Sequence, residues 1–272
     1  MKAVIFTLLG LALLFFAAIY FCQARFIYFP RKYHSSMEGL GRVEAVPFRA
    51  NGKKQFLYLP KRDSREPPET IWWLFGGNGS VALDWLGLVE AVDQPRTTFV
   101  LFDYPGYGYN EGKPGPDSIA ESIEAALPAL ETRWKITEQE ILQRSRTTGH
   151  SLGGAVALDF ANRHGLSHVI AISPFTTMAA MARQQMGPAV VPLLRHRYDN
   201  EKSIDALLQS GRDIEITIFH GDADSLIPSA MGRSLADRDE SGKRIQFHSV
   251  PGAGHNDIVG AIGSDLVKVW SR

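Results

Sequence analysis

From Val43 onward, short runs rich in Val, Ile, Phe, Trp and Thr alternate with longer stretches compatible with helix. Strands joined by helical crossovers pack side by side in one sheet, so this alternation predicts an α/β domain with a mostly parallel, eight-stranded sheet flanked by helices. Strands are expected at residues 43–49, 55–59, 70–75, 97–103, 144–148, 168–172, 215–220 and 244–250. Helices are expected at 80–91, 116–134, 152–164, 228–237 and 256–270. Ala50-Asn51-Gly52 separates the first two strands and predicts a hairpin turn. Residues 61–69 are polar, contain Pro67-Pro68 and read as a loop. The stretch 174–199 carries Met178, Met181, Met186, Pro188 and Pro192. It reads as an irregular helical insert, a small cap at about 174–200 on a single domain spanning 25–272.

Ahead of that domain, residues 3–22 hold no charge and are mostly Leu, Phe, Ala, Ile and Val. A helix of that length covers about 30 Å, the hydrocarbon thickness of a bilayer. Lys2 precedes the run, Arg25, Arg31 and Lys32 follow it, and Tyr20, Tyr28 and Phe29 stand near its exit as interfacial aromatics. Basic residues on both sides leave the orientation open. A cleaved signal peptide is the rival reading, but bulky Ile19, Tyr20 and Phe21 follow Ala17-Ala18 where a cleavage site would need small residues. The expectation is a retained single-span anchor over 1–24, followed by a connector over 23–36.

Composition narrows the partners. The 272 residues carry 29 basic and 29 acidic side chains, a balance that gives no basic surplus for nucleic acid. The one cysteine, Cys22, excludes an internal disulfide framework and a cysteine-based metal site.

Gly149-His150-Ser151-Leu152-Gly153 fits G-x-S-x-G between an expected strand and an expected helix. A serine on so sharp a turn projects above the sheet, and the flanking glycines avoid clashes. A serine hydroxyl needs a base to act as a nucleophile, and the base needs a carboxylate to hold its tautomer. Downstream, the strand at 215–220 runs into Gly221-Asp222-Ala223-Asp224, and the last strand into Gly252-Ala253-Gly254-His255. Loops after parallel strands share one rim of the sheet. Ser151, Asp224 and His255 therefore form the candidate catalytic set. Asp224 is preferred to Asp222, whose alternative duty is to bind turn amides. His248 lies within a strand and is read as a sheet residue.

An oxyanion hole needs backbone N–H groups aimed at developing negative charge. One is expected from Leu152, after the nucleophile, and one from Phe75-Gly76-Gly77-Asn78-Gly79-Ser80. That glycine cluster lacks the spacing of a phosphate loop. Asp103-Tyr104-Pro105-Gly106-Tyr107-Gly108-Tyr109 is a rigid loop with a structural default, shaping the floor of the site.

Taken in order, these pieces resemble the α/β-hydrolase superfamily, and within it the membrane-anchored ABHD-type serine hydrolases with a serine-aminopeptidase-like domain. Arg25–Pro30 and Ser173-Pro174-Phe175-Thr176 fit the same order. Where such proteins often have a histidine, this chain has Gly76. Carrying the pattern across implies Asn78 as the early oxyanion donor, with Gly77 the alternative. The resemblance implies hydrolysis of a carboxylic ester or thioester through an acyl-enzyme, with no metal or organic cofactor. The substrate would be a small-molecule or lipid acyl compound.

Two other readings stand beside it. A peptidase or amidase would use the same three residues but needs acidic groups for a substrate amino terminus, and Arg183, Arg195 and Arg197 in the insert disfavour that. A non-catalytic, membrane-tethered binding module would need none of them. Dehalogenases and epoxide hydrolases need a carboxylate at position 151.

Overall fold

The computed structural model describes residues 2–34, 40–61 and 67–271. A helix, α1 (Lys2–Ile27), leads into β1 (Val43–Ala50), β2 (Lys53–Pro60) and β3 (Thr70–Phe75). A 3-10 turn (Ala82–Trp85) and the short α2 (Leu86–Glu90) precede β4 (Thr97–Phe102). There follow α3 (Pro116–Trp134), α4 (Glu138–Arg144), β5 (Ser145–His150), α5 (Leu152–His164) and β6 (His168–Ile172). An insert of α6 (Met178–Met186) and a 3-10 stretch (Pro188–Leu193) comes before α7 (Asn200–Gln209) and β7 (Glu215–Gly221). The chain closes with α8 (Ser229–Ala236), β8 (Ile245–Val250), α9 (Ile258–Ala261) and α10 (Gly263–Trp270).

The strands form one eight-stranded sheet in the order β1-β2-β4-β3-β5-β6-β7-β8. β2 runs antiparallel to both of its neighbours, and every pairing from β4 to β8 is parallel. Period-two alternation sorts the strand side chains to two faces. Ile71, Trp73 and Phe75 pack into the core beneath α3, α5 and α7, whereas Trp72 and Leu74 pack beneath α2 and α10. β4 and β6 divide in the same way, with Val100, Phe102, Val169 and Ala171 on the first side and Phe99, Leu101, Ile170 and Ile172 on the second. Both faces are covered, so these strands are apolar throughout instead of alternating. Two buried indoles bind across the core: Trp73 Nε1 donates to Ser145 Oγ at 2.9 Å, and Trp270 Nε1 to Thr148 Oγ1 at 3.0 Å.

The chain leaves β3 for β4 on one side and returns to β5 on the other. This reversal opens a crevice at the carboxyl ends of β3 and β5, where ligands bind in open α/β sheets.

Several expectations shift in detail. Asn51 and Gly52 both take positive φ, 49° and 74°, as the hairpin turn requires. The helix expected at 80–91 is a 3-10 turn and a separate five-residue helix, and the one at 256–270 breaks at Ile262. α4 and α7 were not expected. Their starts carry local signals: Thr137 and Glu140 form a reciprocal capping box, and Asp199 accepts the Lys202 amide at 3.1 Å. The connector expected at 23–36 is helical as far as Ile27, and its end at 35–36 lies outside the described residues, as do 62–66 of the loop at 61–69. The stretch Phe6–Ile27 is long and apolar enough to cross a membrane, with a mean hydropathy of 2.0.

Candidate active site

Ser151 stands between β5 and α5 with φ 55° and ψ −116°, a backbone region that costs a β-carbon-bearing residue about 1–3 kcal/mol. Close packing enforces the turn. A Cβ at Gly149 would overlap the carbonyl of Gly153, and one at Gly153 would overlap that of Phe75. The amide of Ser151 is tied to Ile172 of β6 at 2.8 Å, which fixes the turn over the sheet edge.

The loop after β7 brings in Asp224 and the loop after β8 brings in His255. His255 Nδ1 lies 2.7 Å from Asp224 Oδ2, and His255 Nε2 lies 3.0 Å from Ser151 Oγ. The three residues, separated by up to 104 positions, thus form one hydrogen-bonded line. With Nδ1–H donating to the carboxylate, Nε2 is free to accept the serine proton. Asp224 Oδ1 accepts the amides of Leu226 at 3.0 Å and Ile227 at 2.8 Å. Burial pushes this carboxyl up, but the Ile227 amide and the His255 ring outweigh it and hold its pKa below the ordinary carboxylate value. Asp222 is placed differently: its Oδ1 accepts the Gly252 amide at 2.7 Å and joins the two loops that carry Asp224 and His255. His248 stacks on Phe219 in the sheet, with ring centroids 4.9 Å apart.

The amide of Leu152 occupies the first position of α5, where no acceptor exists within the helix. Asn78 borders the same cleft, and among the described residues its amide has no acceptor. Its side chain is otherwise engaged. Asn78 Oδ1 accepts Phe29 N at 2.8 Å and Tyr107 Oη at 2.9 Å, while Nδ2 donates to the Ile27 carbonyl. Tyr104 Oη donates to the Gly76 carbonyl at 2.7 Å. The 103–109 loop therefore holds the loop after β3 through two tyrosines, a more specific duty than floor-shaping.

A cleft of about 280 Å³ opens over Ser151. Its walls are Phe175, Met178 and Met181 from the insert, Leu226 and Ile227 from the Asp224 loop, and the final turns of α1. Sequence reasoning missed α1 as a wall and missed His150, whose ring lies 5.0 Å from that of His255. Gln23, directly after the uncharged run 3–22, was the available signal for the first. Nothing local marks the second. Among the described residues, no group of three or more His, Cys, Asp or Glu is disposed to hold a metal ion.

The Alpha/beta hydrolase family model matches residues 74–213, just over half of the 272. The chain belongs to this family. An uncharacterized protein of Mycobacterium tuberculosis is 28% identical to this hydrolase over 239 residues, 86% of this chain and 81% of the relative. Alpha/beta hydrolase domain-containing protein 17C of Xenopus tropicalis is 33% identical over 159 residues, 58% of this chain and 46% of its own. Human protein 17B is 31% identical over 180 residues, 66% of this chain and 57% of its own. The hydrolase thus spans about half the length of these two relatives. Among solved structures, the Pyrococcus furiosus esterase Pf2001 superposes with a TM-score of 0.65 at 13% identity, covering 89% of this chain and 96% of that one. Est1E from Butyrivibrio proteoclasticus gives a TM-score of 0.60 at 13% identity, covering 84% and 96%. These two likenesses concern the fold.

Proposed function

We propose that this hydrolase cleaves carboxylic ester or thioester bonds of acyl compounds, with Ser151 as nucleophile, His255 as base and Asp224 as the group that orients it. The carrying observation is the continuous line from Ser151 Oγ through His255 to Asp224, with contacts of 3.0 and 2.7 Å. Ser151 Oγ attacks the acyl carbon while His255 Nε2 takes its proton. The imidazolium returns that proton to the leaving oxygen or sulfur, and water then releases the acyl group by the same route. The Leu152 and Asn78 amides hold the oxyanion. Asn78 is favoured over Gly77 because it borders the cleft, whereas Gly77 packs against the His150 ring. α1 serves as a single-span anchor, and the insert as a small cap over the cleft.

An acyl substrate is favoured over a peptide by the lining. Among the described residues, no carboxylate borders the cleft to receive a substrate ammonium group. The test is direct: purified protein should react with a fluorophosphonate probe and hydrolyse p-nitrophenyl acetate, and Ser151→Ala should do neither. Equal rates for the two proteins would remove the assignment. Labelling without ester turnover, paired with cleavage of aminoacyl amides, would favour the amidase reading.

A further inference from the structure

The last turns of α1 do more than leave a membrane. Ile19 is 7% exposed, whereas Leu13, earlier in the same helix, is 71% exposed. Gln23 is 4% exposed, and its amide is fully used. Oε1 accepts the backbone amides of Arg195 at 2.7 Å and His196 at 3.0 Å, while Nε2 donates to the carbonyls of Leu193 at 3.2 Å and Tyr20 at 3.0 Å. The insert is thereby stitched to the helix. On the other side, Asn78 grips the Ile27 carbonyl and the Phe29 amide, so the helix exit is joined to the loop that borders Ser151. No spacer separates helix from site.

This connection sets the height of the cleft. Residues 2–20 make about 28 Å of helix, close to the hydrocarbon thickness of a bilayer. If that stretch spans, the cleft begins where the hydrocarbon ends. Four apolar side chains that line the cleft also face outward there: Phe26 at 56% exposed, Phe29 at 61%, Met186 at 46% and Leu226 at 46%. An apolar rim at that level meets lipid, and a chain crossing it leaves hydrocarbon for hydrocarbon without passing through water.

We propose that the final turns of α1 form a wall of the substrate cleft, and that the acyl chain of a membrane-resident ester or thioester enters between α1 and the insert directly from the bilayer. This rests on the hydrolase reading above. The acyl carbonyl sits at Ser151, and the chain runs past Ile19 toward Phe26 and Met186.

The full-length protein, reconstituted in phosphatidylcholine vesicles, tests both halves. Replacing Ile19 by Trp narrows the cleft from the helix side, so the ratio of kcat/KM for p-nitrophenyl palmitate over p-nitrophenyl acetate should fall at least tenfold. Ile19→Val should preserve that ratio, as should Leu13→Trp on the open face of the same helix. A ratio within twofold of the unaltered protein for Ile19→Trp overturns the wall. If Ile19→Trp no longer reacts with fluorophosphonate, Phe26→Trp at the exposed rim replaces it, with the same tenfold expectation and the same twofold limit. For the route, palmitate ester placed in the enzyme's own vesicles should be hydrolysed at least tenfold faster than the same ester in a separate vesicle population. Equal rates overturn bilayer entry. Failure of the unaltered protein to turn over any ester removes the underlying reading and this proposal with it, an outcome distinct from turnover with an unchanged ratio.

Discussion

His150 Nε2 donates a hydrogen bond to the backbone carbonyl of His255 at 2.9 Å, and the two rings lie 5.0 Å apart. The residue before Ser151 thereby braces the loop that carries His255. Burial, and then the neighbouring His255, lowers the His150 pKa to about 4, so its ring is neutral near pH 7 with its proton on Nε2. His150 acts as a positioning residue. His150→Ala should lower kcat about tenfold with KM little changed, and His150→Gln, which keeps an N–H donor, should recover most of the loss. A rise in KM with kcat intact would contradict positioning.

Asp224 and Asp222 separate cleanly by substitution. Asp224→Asn preserves shape but offers an amide to His255 Nδ1, which favours the wrong tautomer, and kcat should fall about 10⁴-fold. Asp222→Asn retains an oxygen for the Gly252 amide and should cost less than tenfold. Steady-state rates on p-nitrophenyl acetate decide it. Comparable losses in the two variants would sink the assignment of Asp224.

Tyr107 tests the loop after β3. Tyr107→Phe removes the hydroxyl that donates to Asn78 Oδ1 at 2.9 Å, worth about 1 kcal/mol and so roughly fivefold in kcat. The loss should appear in kcat, since the oxyanion forms only after binding. An unchanged kcat would mean that the loop holds its shape without this bond.

Stability should respond to pH at two buried groups with opposite sign. Burial raises the Asp103 carboxyl, opposed by the Ala82 amide, from 3.8 to about 7. Below pH 3.8 both folded and unfolded states are protonated there. As pH rises toward 7, the unfolded chain ionises first, and stability is lost across that window. His150 behaves in reverse: with a folded pKa of about 4 against 6.5, stability is lost as pH falls from 6.5 toward 4, when the unfolded chain takes the proton first. Asp103→Asn should therefore raise the melting temperature more at pH 8 than at pH 4, and His150→Gln should flatten the acid limb. Equal shifts of the Asp103→Asn melting temperature at both pH values would refute its part.

Gln23→Leu leaves the part-buried amides of Arg195 and His196 without their side-chain acceptor, at about 1 kcal/mol each. Limited trypsin digestion in micelles should then cut at Arg195 or Arg197 at least tenfold faster than in the unaltered protein. Unchanged protection would mean that the insert does not depend on α1.

Much of the architecture was legible because its causes are local. The strands at 70–75 and 168–172 and the helices at 116–134 and 152–164 coincide with β3, β6, α3 and α5, since apolar runs, Pro116 at a helix start and the glycine-bounded turn at Ser151 act over a few residues. α4 and α7 were less legible although Thr137 and Asp199 mark their starts, because the polar stretches after α3 and the insert read as connections.

By itself, the amino-acid order determined all the strands and most of the helices, and it put Ser151, Asp224 and His255 on the loops after β5, β7 and β8, at one rim of the sheet. Only the tertiary structure decided that Gln23 meets Arg195 across 172 positions, that His150 braces His255 across 105, and that α1 walls the cleft. Local periodicity encodes which face of an element is apolar. It does not encode which distant element covers that face, and this is set when the whole sheet and its helices pack at once.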